Sequence, residues 1–277
     1  MDGYPPSAPL FLDLASPPGV ASRAHTPHFF SGGHPLTVYA ASRWRSFPMI
    51  DTSGGNVTYA AVSLADALGA ERIELYGADF SYPEGEPYAR GTYIHPYFQR
   101  TQTRTLPLEG LFANFVFRNE SLRIERTASS WRYETKPLAS YRERLEKLAL
   151  RLQGQLIPLT GRGAPIAVPS ARRKRVGAIP TMAPGKATMS GRDFLASYAE
   201  SIKELPSLKS SVASYFGSLD ADQRDVLTTL LPSAATIRRR HPDHTPEETL
   251  EEVRAYCLGE LDRVLSDYRS SGEPSSG

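Results

Sequence analysis

Apolar and polar positions follow two rhythms in this chain. From Val57 to Leu68 the apolar residues recur at helical spacing, with Leu64, Ala65 and Leu68 on one stripe, which predicts an amphipathic helix. Gly69 stands where such a helix would end. "RIELYG" follows as a short β run closing at Gly77. Upstream, "LTVYAA" within Pro35–Trp44 reads as a strand. Strand, helix and strand in that order make a β-α-β unit, whose crossover implies parallel strands in a covered sheet.

The pattern changes on either side. Residues 1–34 are rich in Pro, Ser, Gly and His and read as irregular, apart from the strand-like "PLFLDLA". Ser81 to Thr105 is a long aromatic loop, and loops of that length inside a compact domain are usually functional or disordered. "LEGLFANFVFRN" fits helix or strand, whereas Pro137 to Gln155 is a clear amphipathic helix with Pro at its start and charges on its outer face. Residues 156–190 mix Pro, Gly and the basic "ARRKRV" and read as a linker or an extended arm. Residues 191–270 are helical throughout, with breaks expected near Pro206, Pro232 and "HPDHTPEE", and 271–277 form a tail. Thr245-Pro246-Glu247-Glu248 is a good helix start, with a cap, a first-position proline and acids in the first turn.

Composition narrows the classes. With 277 residues the chain has room for one large or two small domains, yet hydrophobic residues reach only 40%, and Pro 23 with Gly 21 point to much loop. Lys+Arg 32 against Asp+Glu 30 leaves a net charge of +2, which gives no argument for a nucleic-acid partner or an acidic membrane surface. No apolar run is long enough to span a membrane, and the N-terminus lacks a signal-like pattern, so a cytoplasmic protein is expected. The single cysteine, Cys257, excludes an intramolecular disulfide and reads as a packed helix thiol.

The candidate chemistry gathers around "DTSGGNVTYAA". Thr52, Ser53, Gly54, Gly55 and Asn56 put small residues and hydroxyls ahead of a helix, where backbone N–H groups and the helix dipole favour a phosphate or carboxylate. The spacing is neither Gly-x-Gly-x-x-Gly nor the Gly-Lys-Ser/Thr loop, and a plain turn capped by Ser53 or Thr52 is the competing reading. Asp79 follows a strand, where open parallel sheets bind ligands; it equally suits a cap for "SYPEGE". Tyr82, Tyr88, Tyr93 and Tyr97 offer rings for stacking, and His95 is the only histidine of that loop and the candidate general base. His25, His28 and His34 lack carboxylate partners at ligand spacing, so no metal site is expected.

The stretch "TSGGNVTYAAVSLADALGAERIELYGADFSY" resembles the core of the motility-associated-factor (Maf) flagellin glycosyltransferases, which belong to a broader group labelled 6-hydroxymethylpterin diphosphokinase MptE-like. It also looks like the corresponding segment of bacterial sialyltransferases. The likeness covers roughly Pro35 to Arg104. It implies an α/β fold in which a partial Rossmann-like parallel sheet, over 35–155, precedes the helical C-terminal region. It also implies a CMP-activated nonulosonic acid as donor, with flagellin or another surface acceptor and no bound cofactor. By that likeness Thr52, Ser53 and Gly54 lie against the nucleotide phosphate and Tyr88 is a lid tyrosine; the family's catalytic histidine lies further along, with His95 the nearest candidate here, and Asp79 at the strand end is the other catalytic candidate. The family's upstream Gly-x-Gly-Pro-Ser-Leu turn is missing, so the chain is expected to be truncated at its N-terminus. Two alternatives stand: a pterin-type pyrophosphokinase using Asp79, Glu84 and Glu86 for Mg²⁺, and a non-catalytic partner assembling through its C-terminal helices.

Overall fold

The computed structural model describes residues 5, 7–23, 25–88, 91–92, 94–126, 130–169, 182–209 and 211–270. The protein is a mixed α/β molecule with two compact units, Met1–Met49 with Thr181–Gly277, and Ile50–Pro180. This division cuts the chain elsewhere than the expected domains 1–34, 35–155, 156–190 and 191–270. Of the sequence features, "ARRKRV", Tyr93 and the 271–277 tail lie outside the described residues.

The N-terminal segment is more regular than its composition suggests. β1 (Leu10–Asp13) and β2 (Pro27–Phe30) pair in parallel, Leu10 opposite Pro27 and Asp13 opposite Phe30, with the short helix α1 (Pro18–Ala21) between them. Four-residue strands flanked by Pro and Gly carry too little period to announce themselves. Ser31 continues the pairing to Met49. The expected strand "LTVYAA" is instead a helix, α2 (Pro35–Arg43). Pro35 presets the first helical φ, and the His34 ring accepts the Leu36 N–H at 3.3 Å, so the start signal outweighs the β preference of Thr37, Val38 and Tyr39.

In Ile50–Pro180 the helix α3 (Val57–Ala67) forms where the period placed it. Its cap is Asn56, whose side-chain oxygen accepts the Tyr59 N–H at 2.9 Å, rather than Ser53 or Thr52. β3 (Arg72–Leu75) follows. The aromatic region then holds β4 (Tyr82–Pro83), α4 (His95–Thr101) and α5 (Leu108–Phe117), which settles "LEGLFANFVF" as helix. β5 (Arg123–Arg126) and β6 (Trp131–Glu134) join β4 in a small antiparallel sheet of order β4-β6-β5.

The helix α6 (Lys136–Ala149), capped by Thr135, leads into β7 (Gln155–Pro158). The first residues of the expected linker are thus a strand. β7 pairs in parallel with β3, Arg72 opposite Gln155 and Leu75 opposite Pro158. Parallel pairing was expected for β3, but its partner comes from a distant part of the chain, because "LTVYAA" is helical.

Two helix–strand units therefore lie side by side. The Ser53 carbonyl meets Arg144 at 3.2 Å, and Asp66 Oδ1 accepts the N–H groups of Gln153 and Gly154 at 3.0 and 2.7 Å. These contacts advance together along both segments, so α3 and α6 run in the same direction. Each turns back through a short link into its strand, so both helices start at the carboxyl ends of β3 and β7. Tyr59, Val62, Leu145, Leu148, Leu152 and Leu156 fill the space between them, with Leu145 fully buried. Burial on this scale stabilises by about 1.5–3 kcal/mol per large apolar side chain.

The other unit ends in α7 (Gly191–Lys203), α8 (Val212–Ser218), α9 (Ala221–Arg240) and α10 (Pro246–Ser270). They enclose a core of Tyr198, Ile202, Leu230, Ile237 and Val253, against which Tyr39 of α2 also packs. Pro232 does not break α9. An interior proline costs about 3 kcal/mol or more, and the burial of Val226, Leu227, Leu230 and Ile237 on both sides of it offsets that cost. Thr245 caps α10 as expected, its Oγ1 accepting the Glu248 N–H at 3.2 Å. Cys257 is half-buried against the core, and burial pushes its thiol above its ordinary pKa. Among the described residues no helix is long and apolar enough to cross a membrane.

Replacing Asp66 by Ala should leave the Gln153 and Gly154 N–H groups without their carboxylate and cost about 1–3 kcal/mol of stability. A shift of the urea midpoint measures it; an unchanged midpoint would mean that the side-by-side arrangement does not depend on this carboxylate.

Candidate functional site

The carboxyl ends of β3 and β7 carry the segments "YGADFS" and "LTGRGA". Asp79 sits in the first, half-buried, with its backbone oxygen accepting the Ala164 N–H at 2.7 Å and the Ser81 hydroxyl at 3.0 Å. Gly163 lies so close that a Cβ there would press into the Asp79 backbone and come within 2.6 Å of its carboxylate oxygen. Only glycine fits that approach. The carboxylate thus stands beside the glycine segment of the neighbouring strand, where open parallel sheets collect ligands. Arg162, from the same segment, pairs with Glu84 at 2.7 Å.

The backbone between Asp79 and Glu84 is strained at both ends. Phe80 has φ 44° and Glu84 φ 52°, left-handed conformations that bulky side chains rarely adopt. Each costs of order 1–3 kcal/mol, and such strain tends to cluster at working sites.

The Thr52–Asn56 turn lies at the same end, before α3. Gly54 is buried beneath the Tyr59 ring, and Gly55 takes φ 76° with the Tyr141 ring and Arg144 guanidinium close by. The Ser53 donors do not face outward. Its N–H and hydroxyl both go to Asp51 Oδ1, at 2.9 and 2.6 Å, while the Tyr59 hydroxyl donates to Oδ2 at 2.7 Å and Arg151 approaches to 3.6 Å. Burial pushes the Asp51 carboxyl up, but the Ser53 hydroxyl, Tyr59, the Ser53 amide and Arg151 together hold it below its ordinary value. Asp51 is therefore the internal anion of this turn. The positive charge open to a ligand comes first from Arg144, which is exposed and donates to the Ser53 carbonyl, and then from the exposed Arg151, which is shared with Asp51 and the Tyr59 hydroxyl.

The chain makes the same turn once more. Ser31-Gly32-Gly33-His34 precedes α2, with Gly33 at φ 86° and His34 as the capping residue. There the serine is buried and its hydroxyl is bonded to Thr37 at 2.8 Å. That copy closes on its own helix, whereas the Ser53 copy borders two arginines.

The aromatic residues build a cavity of about 310 Å³ lined by Glu84, Glu86, Tyr88, His95, Glu109 and Trp131 among others. His95 opens α4, is 4% exposed, and stands edge-on to Phe112 at 6.0 Å. Tyr88 packs against Phe115 and Phe98 at 5.6 and 6.1 Å. Tyr82 is half-buried opposite Tyr133 on β6, and burial, then Tyr88, raises its phenol above its ordinary pKa. Glu84 belongs both to this cavity and to the Arg162 pair, so it joins the aromatic pocket to the strand ends. Thr52 is half-buried, and its backbone oxygen accepts the Gly55 N–H at 3.3 Å.

The structure brings His95, Tyr88 and Glu84 together, and separately sets Thr52–Asn56 against α6. The sequence reading missed Arg162 and Gly163, placed in a linker, and Arg144 and Arg151, placed on an outer face. The signal for the first pair was present: "LTGRGA" after an apolar run repeats the strand-then-glycine form of "ELYGAD".

No family model matches this chain, and no solved structure matches it. Among curated proteins it is similar to an uncharacterized protein of Treponema pallidum (strain Nichols), 42% identical over 120 residues, which are 43% of this chain and 42% of that protein. The chain spans less than half the length of that relative.

The lowered pKa of Asp51 gives a pH test. A carboxyl depressed in the folded state adds stability that is fully present above its ordinary value of 3.8 and is lost as pH falls through the lower folded value. Asp51→Asn should therefore be less stable than the parent at neutral pH, with the gap closing in acid. Thermal unfolding of both proteins from pH 7 to pH 2 measures this; a gap that does not change with pH would show that Asp51 is not the charged centre of the turn.

Proposed function

We propose that Ile50–Pro180 carries a sugar-transfer site of the Maf glycosyltransferase kind, moving a nonulosonic acid from a CMP-activated donor to flagellin or another surface acceptor in the cytoplasm. The observation that carries this reading is Asp79, held by Gly163 at the carboxyl ends of two parallel strands and followed by a strained backbone. A Rossmann-like sheet, of which the side-by-side helix–strand units would form part, belongs to the same proposal.

In this reading Arg144 and Arg151 take the donor phosphate beside the Thr52–Asn56 turn, which supplies shape and the helix dipole rather than the Ser53 hydroxyl. Asp79 accepts hydrogen bonds from donor hydroxyls. Tyr88 covers the donor, and His95 takes the proton of the acceptor hydroxyl as its oxygen bonds to the anomeric carbon. The bond from that carbon to the phosphate oxygen breaks, and CMP leaves with the electron pair. The pyrophosphokinase alternative has less support, because one of its three carboxylates, Glu84, is committed to Arg162 at 2.7 Å.

Calorimetry with CMP, UDP and ATP plus Mg²⁺ tests the reading. CMP should bind in preference to the others but weakly, since the cavity side chains are ordered on binding at about 0.5–1.5 kcal/mol each. Asp79→Asn and Arg144→Ala should each weaken CMP by about tenfold or more, the worth of one charge-assisted hydrogen bond, with melting temperatures unchanged. Tight binding of ATP with Mg²⁺ and none of CMP would overturn the proposal and favour the kinase.

A further inference from the structure

The helical unit carries a second, half-open cavity, larger than the aromatic one and unconnected with the proposed sugar transfer. It measures about 550 Å³ and lies between α7, α9, α10 and the start of α2. That volume is within the roughly 300–1,000 Å³ of small-molecule sites.

Its walls are greasy. Leu195 from α7, Pro232 and Ile237 from α9, and Leu261 and Val264 from α10 line it. Pro232 presents a ring and no N–H to the wall. The polar atoms deeper in are already satisfied or neutral. The Tyr198 and Thr229 hydroxyls bond to each other at 2.5 Å, and burial keeps the Cys257 thiol un-ionised. Tyr198, Thr229 and Cys257 therefore offer no charge to a ligand.

The charge sits at one end. Arg240, in the last turn of α9, and Glu260 of α10 both line the cavity. Arg263 takes Glu260 at 2.7 Å, whereas Arg240 meets no acid among the described residues. The neighbouring Arg238 and Arg239 add positive charge to the same turn. Leu36 and Tyr256, lining residues that are 38% and 57% exposed, supply an apolar collar. A cationic residue at the helix C-terminus also suits the dipole, but that role needs no cavity beneath it.

We infer that this cavity binds a single-chain amphiphile with an anionic head: the hydrocarbon chain runs between α7, α9 and α10, and the carboxylate or phosphate pairs with Arg240. The apolar stretch formed by Leu195, Pro232, Ile237, Leu261 and Val264 suits a hydrocarbon chain better than a sugar or nucleotide, since Ser233, Thr236 and His34 are the few polar side chains left to meet many hydroxyls. The uncompensated guanidinium selects an anion over a neutral or cationic head.

The test is displacement of the fluorescent probe 11-(dansylamino)undecanoic acid from the full chain. Palmitate and hexadecyl phosphate should displace it, and the tighter of the two identifies the head group; hexadecyltrimethylammonium should not. Arg240→Glu, an exposed change, should weaken both anions by about tenfold or more. Thr236→Phe, which fills the cavity from α9, should abolish displacement with the melting temperature retained. Should Thr236→Phe fail to fold, Arg240→Glu decides alone. The inference falls if neither anion displaces the probe, if the cation competes equally well, or if Arg240→Glu leaves the anion affinities unchanged.

Discussion

The carboxylate of Asp66 accepts two successive backbone N–H groups from the link between α6 and β7, and much of the candidate site follows from that grip. It fixes the last turn of α3 against the start of β7. Together with the Ser53–Arg144 contact at the other end of α3, it accompanies α3 and α6 running the same way and β3 and β7 pairing in parallel. Both helix starts then face the strand ends that carry Asp79 and Gly163. The apolar side chains of the two helices supply most of the adhesion. Adhesion alone is non-directional; the paired hydrogen bonds choose the register.

Electrostatics in this unit are arranged around carboxylates that are already occupied. Asp51 gathers a serine, a tyrosine and an arginine, Glu84 holds Arg162, and Glu134 takes both Arg132 and Arg142 at 2.9 and 3.3 Å. Asp79 differs in kind. Its main chain is pinned from two directions, while its side chain borders glycine, so little bulk stands between it and an incoming molecule.

Local signals in the sequence foretold local structure. The apolar period of Val57 to Leu68, Gly69 and the β run of Arg72 to Leu75 all appear where the residues put them. Thr245 and its acids begin a helix as read. Non-local facts stayed hidden. "QLIP" is four residues that follow Gly154 and end on Pro158, and nothing in it names β3 as its partner. Whether Arg144 faces water or another loop depends on what α6 lies against, which no helical period contains. In "LTVYAA" the His34–Pro35 helix start overrides the β preference of Thr37, Val38 and Tyr39. Of the candidate site, the turn and the strand end were legible, but the residues that oppose them from α6 and from the segment after β7 were not.

The bonds to Asp66 join residues 87 and 88 positions apart. Everything from β4 to α6 is strung between them, including an antiparallel sheet that pairs mostly with its own neighbours. Bringing such distant ends together sacrifices chain entropy before any contact compensates, and folds dominated by such pairings form slowly. The β5–β6 hairpin and α5 can assemble from nearby residues at once, while β3 waits with an open edge for β7 to be made and delivered. During synthesis that interval lasts at least as long as the ribosome takes to add the intervening residues. A nascent chain in that interval exposes an unpaired strand, which is the period in which it is most vulnerable to pairing with a neighbour instead of with itself.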